Sequence, residues 1–235
     1  RVRAVFDELK RHNGKVFLTA LGTDSAYISM CKRDWDNIDK ATLKYNEWMA
    51  GGKTTPNFMQ SADAFNAWLT EPLASHCRHI YDNVDGVVSA LYEYHLAFEG
   101  LMPSEKLAYG GIAVEMPSEM PHGVSSDGKV KIMVACHKGR EAEKGVDKLL
   151  LVIKAFADAN ADKVQLDFVQ NVPFVQFKSI LDNADIVVDQ LYSYSPSTTP
   201  LMAMARGKVA VTGGEEQFYD FIGEKALRPI INPNP

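Results

Sequence analysis

Apolar residues along this chain keep two rhythms. Short, mostly apolar runs, bounded by glycine or polar clusters, fall at residues 15–21, 86–90, 110–114, 130–136, 164–169, 186–191 and 208–212, and each predicts a strand. Between them, apolar positions recur three and four apart, the spacing of a helix face. Val2, Val5, Phe6 and Leu9 predict a helix within residues 1–14, stopped by Asn13-Gly14. Ile38, Ala41, Tyr45, Trp48 and Met49 predict one over 36–50, capped by Asp36 or Asn37. Phe65, Trp68, Leu69 and Leu73 predict a helix over 61–81 that Pro72 kinks or splits. Residues 92–98 form a further helical turn. Helices at 146–158, with Leu149, Leu150, Ile153 and Phe156 inward, at 174–183, with Phe177, Ile180, Leu181 and Ala184 in phase, and at 198–206 complete the pattern. Buried strands alternating with helices predict an α/β protein with parallel sheets.

The alternation breaks once. Residues 115–128 gather two prolines, two glycines and three serines, the composition of an interdomain linker. The expected organisation is therefore a first domain over 1–117, a linker over 118–128 and a second domain over 129–235. The first opens inside a helix rather than on a strand and a glycine-rich turn, so it reads as an incomplete Rossmann-like domain.

Composition narrows the function. The 235 residues carry 25 Lys and Arg against 30 Asp and Glu, a net charge of −5. Nucleic-acid binding rests on surplus cations, so that class is disfavoured. The three cysteines, Cys31, Cys77 and Cys136, have neither metal nor redox spacing, which fits a reducing compartment. No apolar run approaches the roughly 20 residues that cross a bilayer. No strand is followed by G-x-G-x-x-G, and no Walker loop or G-x-S-x-G elbow occurs. Asp34-Trp35-Asp36 has the form of a metal-diphosphate motif but precedes the predicted helix 36–50, where capping explains it. His76 and His79 stand three apart on a helix with no carboxylate at a motif spacing, and no metal site is expected.

Two turns carry chemistry. His137, Lys138, Arg140 and Lys144 crowd eight residues after the strand 130–136, and Lys144-Gly145 is expected to open a helix. Ser195, Ser197, Thr198 and Thr199 follow the strand 186–191, with Ser197 or Thr198 placed to cap the next helix. Cations, hydroxyls and free helix-start amides together suit a diphosphate. Both turns lie beyond strand carboxyl ends, where open parallel sheets bind ligands.

Lys144-Gly145-Val146-Asp147-Lys148-Leu149-Leu150, Ala184-Asp185-Ile186-Val187-Val188-Asp189-Gln190 and Ala203-Met204-Ala205-Arg206-Gly207-Lys208 appear in the order of the signatures of GT-B glycosyltransferases, and the second domain resembles their C-terminal domain. Residues 15–24 and 85–89 resemble two strands of that family's first domain. The resemblance implies two Rossmann-like domains facing a cleft. It also implies a metal-independent transferase of the retaining, family 4-like kind, moving a sugar from a nucleotide-diphosphate donor to a glycan or lipid-linked acceptor in bacterial surface-polysaccharide synthesis. Such a protein works in the cytoplasm, with peripheral contact at the inner membrane face. It needs no cofactor beyond its donor substrate.

Carried over by position, Lys144 and Arg140 hold the diphosphate, although Arg140 stands one position nearer than the family's arginine. His137, Lys138, Gly145, Ser195, Ser197, Thr198, Thr199 and Met202 form the donor site. Gly22 and Thr23 line the acceptor side, and Asp24 is the candidate base. Tyr194 and Met202 stand where the retaining branch has paired glutamates, and Leu21 where it has a turn histidine. An inactive transferase-like binding protein and a nucleotide-sugar epimerase are the alternatives.

Overall fold

The computed structural model describes residues 2–36, 67–119, 128–224 and 226–233. The chain divides into two compact units, residues 1–112 and 113–235. The linker expected over 118–128 lies mostly outside the described residues, as do Trp48, Met49 and all but the first residue of the helix expected over 36–50.

In the first unit, α1 (Val2–His12) leads into β1 (Phe17–Ala20) and α2 (Ser25–Asp36). Then come α3 (Leu73–Asn83), β2 (Gly86–Ser89), α4 (Tyr92–Phe98) and β3 (Leu107–Tyr109). The three strands pair in parallel in the order β1-β2-β3. Phe6, Ile28, Val87 and Phe98 centre its core, and Tyr81 meets Phe98 edge to face.

One expectation changes here. The strand expected over 110–114 lies at Leu107–Tyr109, in register with Val87–Ser89. Gly110 and Gly111 end it instead of starting one: a Cβ on Gly110 would sit 2.7 Å from Val88 Cγ1, and Gly111 has φ +68°. The helix expected over 61–81 is described from residue 67, and Pro72 splits it as expected: its regular part is α3, with Pro72 at the N-cap position, where a missing N–H costs nothing. Asp34-Trp35-Asp36 forms the last turn of α2, and the helix expected to follow it lies outside the described residues. Helix α2 itself carries no clean apolar stripe, yet it buries Ala26, Tyr27, Ile28, Met30 and Cys31.

The second unit runs β4 (Val130–Ala135), α5 (Glu141–Lys144), α6 (Val146–Ala159), β5 (Val164–Val169), α7 (Phe174–Asn183) and β6 (Ile186–Val188). It continues through α8 (Thr198–Met204), β7 (Val209–Val211), α9 (Glu216–Phe221) and β8 (Ile230–Ile231). All five strands are parallel, in the order β5-β4-β6-β7-β8. Counted within the unit this is 2-1-3-4-5, so the chain reverses its direction of travel between β4 and β6. Rossmann-like layering of this kind binds ligands at that reversal, beyond the strand ends.

Val134, Val146 and Val188 lie at the centre of the core, with Leu149, Leu150 and Ile153 packed on it. Phe156 does not join them. It is 54% exposed, and Ala157 takes the inward place one position later. Among the described residues no helix is long and apolar enough to cross a membrane.

Candidate functional site

A cavity of about 360 Å³ opens at the β4/β6 reversal. The ends of β4 and β5 supply Ala135, Cys136, His137, Val169 and Asn171; β6 supplies Asp189; α7 supplies Phe174 and Phe177; and α8 supplies Thr198, Thr199 and Met202. Lys144 reaches it from α5.

The local folding of the basic turn explains how Lys144 gets there. Arg140 N–H bonds to the His137 carbonyl, and Lys144 N–H to that of Arg140, winding the single turn of α5. Lys144 therefore ends one helix instead of opening the next. Gly145, in the left-handed region with φ +71°, breaks the path, and α6 starts at Val146. Only glycine fits, because a Cβ would lie 2.7 Å from Leu191 Cβ and 2.9 Å from the Tyr192 ring. The same close approach lets the Leu191 N–H bond the Lys144 carbonyl at 2.8 Å, tying the loop after β4 to the loop after β6. On its other side the turn docks on the end of β5. Gln170 donates to Glu141 at 2.6 Å, and Asn171 Oδ1 accepts from Lys138 N–H at 3.3 Å. Glu141's own backbone N–H and the Gln170 amide hold its carboxyl below the usual range.

At the centre stands Asp189, 1% exposed at the end of β6. Its Oδ1 meets Lys144 Nζ at 3.3 Å, and its Oδ2 accepts from Ser197 Oγ at 2.6 Å. Ser197 occupies the N-cap position of α8, but its hydroxyl makes no capping bond because Asp189 takes it. Buried Arg206 anchors the far end of α8, donating to Asp182 at 2.7 Å and to the Met202 carbonyl at 3.1 Å. Beside Lys144, Cys136 is buried, and that burial pushes its thiol up to about 11. It therefore stays protonated at neutral pH and packs as a wall residue rather than acting as a nucleophile.

The cavity lining mixes apolar and polar side chains. The apolar ones include Val172, Met202, and the rings of Phe174 and Phe177, whose planes lie within 12° at 6.3 Å. The polar ones are Lys144, Asp189, Thr198, Thr199, His137 and Asn171. A flat ring with a charged tail suits such a mixture.

Of the residues named from sequence, His137, Lys144, Thr198, Thr199 and Met202 share this wall. Gly145, Ser195 and Ser197 lie behind it, supporting the two loops. Lys138 and Arg140 are exposed on the turn outside the wall. Gly22, Thr23 and Asp24 belong to the first unit. There Asp24 caps α2, accepting from Tyr27 N–H at 2.9 Å and from the Tyr81 hydroxyl. Burial raises its carboxyl above the usual range, and those two donors oppose the rise. Burial also raises the Tyr81 hydroxyl. Asn171, Val172, Phe174, Phe177 and the role of Asp189 were not singled out from sequence. The signal for Asp189 was an acid inside the apolar run 186–191, whose strand ends at Val188. The signal for Phe174 was an aromatic on the outward side of its helix, 63% exposed. His79, considered for a metal, instead bonds Asp7 at 2.7 Å. Among the described residues no group of three or more His, Cys, Asp or Glu is placed to hold a metal ion.

No protein-family model matches the chain, and no curated protein does. Among solved structures it is similar to the apo form of the lipopolysaccharide outer core galactosyltransferase WaaB, at 11% identity and a TM-score of 0.47. That match covers 92% of this chain and 62% of the other, so the chain spans less than two thirds of that protein's length.

Proposed function

We propose that this chain is a glycosyltransferase that takes a sugar from a nucleotide-diphosphate donor. One observation carries the reading: a single cavity at the sheet's reversal brings together Lys144, the threonines opening α8 and a stacked aromatic pair. In this reading the base lies on Phe174 and Phe177, and the diphosphate faces Lys144, Thr198 and Thr199. Leaving-group stabilisation supplies most of the rate, since positive charge set in a partly desolvated wall acts on charge as it develops. Arg140 and Lys138, on the exposed turn, join the phosphates when ligand is bound. Asp24, on the first unit with Gly22 and Thr23, is the candidate base toward a glycan or lipid-linked acceptor, and the setting is bacterial surface-polysaccharide synthesis at a membrane face.

A thermal-shift series tests it. Nucleoside diphosphates at 100 times their dissociation constant add about 2.7 kcal/mol of stability, whereas free nucleosides add little. Lys144→Ala abolishes the gain. An unchanged gain in that variant contradicts the assignment.

Met202 favours a second reading, nucleotide binding without catalysis. It lines the cavity where the resembled family has a carboxylate, and a thioether is a weak acceptor for a ribose hydroxyl. Slow hydrolysis of a nucleotide-sugar without acceptor separates the two, because only a catalyst releases sugar. Conversion of the donor to an isomer would instead identify an epimerase.

A further inference from the structure

We propose that Asp189 is a built-in anion that competes with phosphate for Lys144, so that it sets how tightly phosphate is held and how readily it leaves. This rests on the nucleotide reading above and adds to it a residue that works against binding.

The geometry supports it in three ways. First, the two charges are held differently. The Asp189 backbone N–H bonds the Val211 carbonyl at 3.1 Å, at the rigid end of the sheet, while Lys144 reaches across on four methylenes from a one-turn helix. Second, the pair is shielded. The Asp189 side chain is 2% exposed and that of Lys144 is 17% exposed, so their attraction is little weakened by water. Third, the contact is single and, at 3.3 Å, loose, whereas Ser197 holds the other carboxylate oxygen at 2.6 Å. A ligand phosphate drawing Lys144 away would leave Asp189 with the Ser197 hydroxyl, not bare. The carboxylate would still stand beside the bound anion and repel it. Net affinity is thus the difference between two anions competing for one ammonium. That arrangement favours release of a diphosphate product.

Calorimetric titration of the full chain with inorganic pyrophosphate, which needs no base contact, tests this. Asp189→Asn keeps an acceptor for Ser197 and removes the competing charge. The expected result is binding tighter on the order of tenfold, with the gain lost when Lys144→Ala is added, as coupled neighbours require. Turnover of a nucleotide-sugar by Asp189→Asn should show KM and kcat falling together, since product leaves slowly. A purely structural role would instead weaken binding and raise KM. Should Asp189→Asn fail to fold, Asp189→Leu removes the charge with the same branching and carries the same expectation. Equal or weaker pyrophosphate binding by the neutral variants overturns the proposal, as does a gain that survives Lys144→Ala. If wild type is stabilised by nucleoside diphosphates and these variants show no gain, this inference falls and the nucleotide reading stands. If no nucleoside diphosphate binds at all, both fall.

Discussion

Single residues in this protein hold more than one task, and substitutions can separate them. Asp24 is both the cap of α2 and the candidate base. Asn caps as well as Asp does, so Asp24→Asn should fold with α2 intact. The pH dependence has a definite sign. A carboxyl raised by burial contributes stability that is present in acid and lost as pH rises through its folded value. Wild type therefore carries a burden at neutral pH that the amide does not. Melting temperatures at pH 7 should be equal or higher for Asp24→Asn, with the difference shrinking or reversing toward pH 4. A lower value at pH 7 would show that the ionised form is the stabilising one. Loss of transfer in this folded variant, with donor binding retained, would identify the base. Lys144→Ala has a structural cost as well: Asp189 keeps only Ser197, and urea unfolding should report a loss of about 3 kcal/mol, the low end for breaking a buried pair, because Lys144 retains some contact with solvent.

The elements show where short-range rules are enough. Gly145 ends α5, starts α6 and lets the loops after β4 and β6 touch. Gly145→Ala should cost about 2–4 kcal/mol, combining the left-handed backbone penalty with overpacking against Leu191 and Tyr192. Chemical denaturation measures it, and a change below about 0.5 kcal/mol would mean that the loops separate freely. Such effects were legible in part. β4, β5, α6 and α7 follow from apolar runs and helical spacing because both determinants are local. The shift of β3 to Leu107–Tyr109 was not legible, since pairing with β2 chose the register. Nor was α2, whose buried face becomes a face only when Tyr94 and Phe98 pack near it. Helix α9 was missed because its polar run hides two buried aromatics, Phe218 and Tyr219. β8 was missed because two residues carry no periodicity.

At the scale of the molecule, the fold class follows from alternation, but the site follows from topology. The sequence marks Lys144 and the Ser195–Thr199 stretch as two separate polar turns. The parallel crossover from β5 back to β6 brings them to one cavity, and the fully buried Asp189 bridges them. The aromatic lining of the cavity stayed hidden because Phe174 becomes part of a wall only once α7 and α8 meet at one cavity. Whether that cavity takes a nucleoside diphosphate decides the functional reading. Amide NMR of the full chain, titrated with a panel of nucleoside diphosphates, tests it most directly. The expected result is saturable shifts confined to residues 136–145, 171–177 and 189–202 for at least one member, absent in Lys144→Ala. Saturable shifts elsewhere with these residues silent, or no shifts with any member, would contradict it.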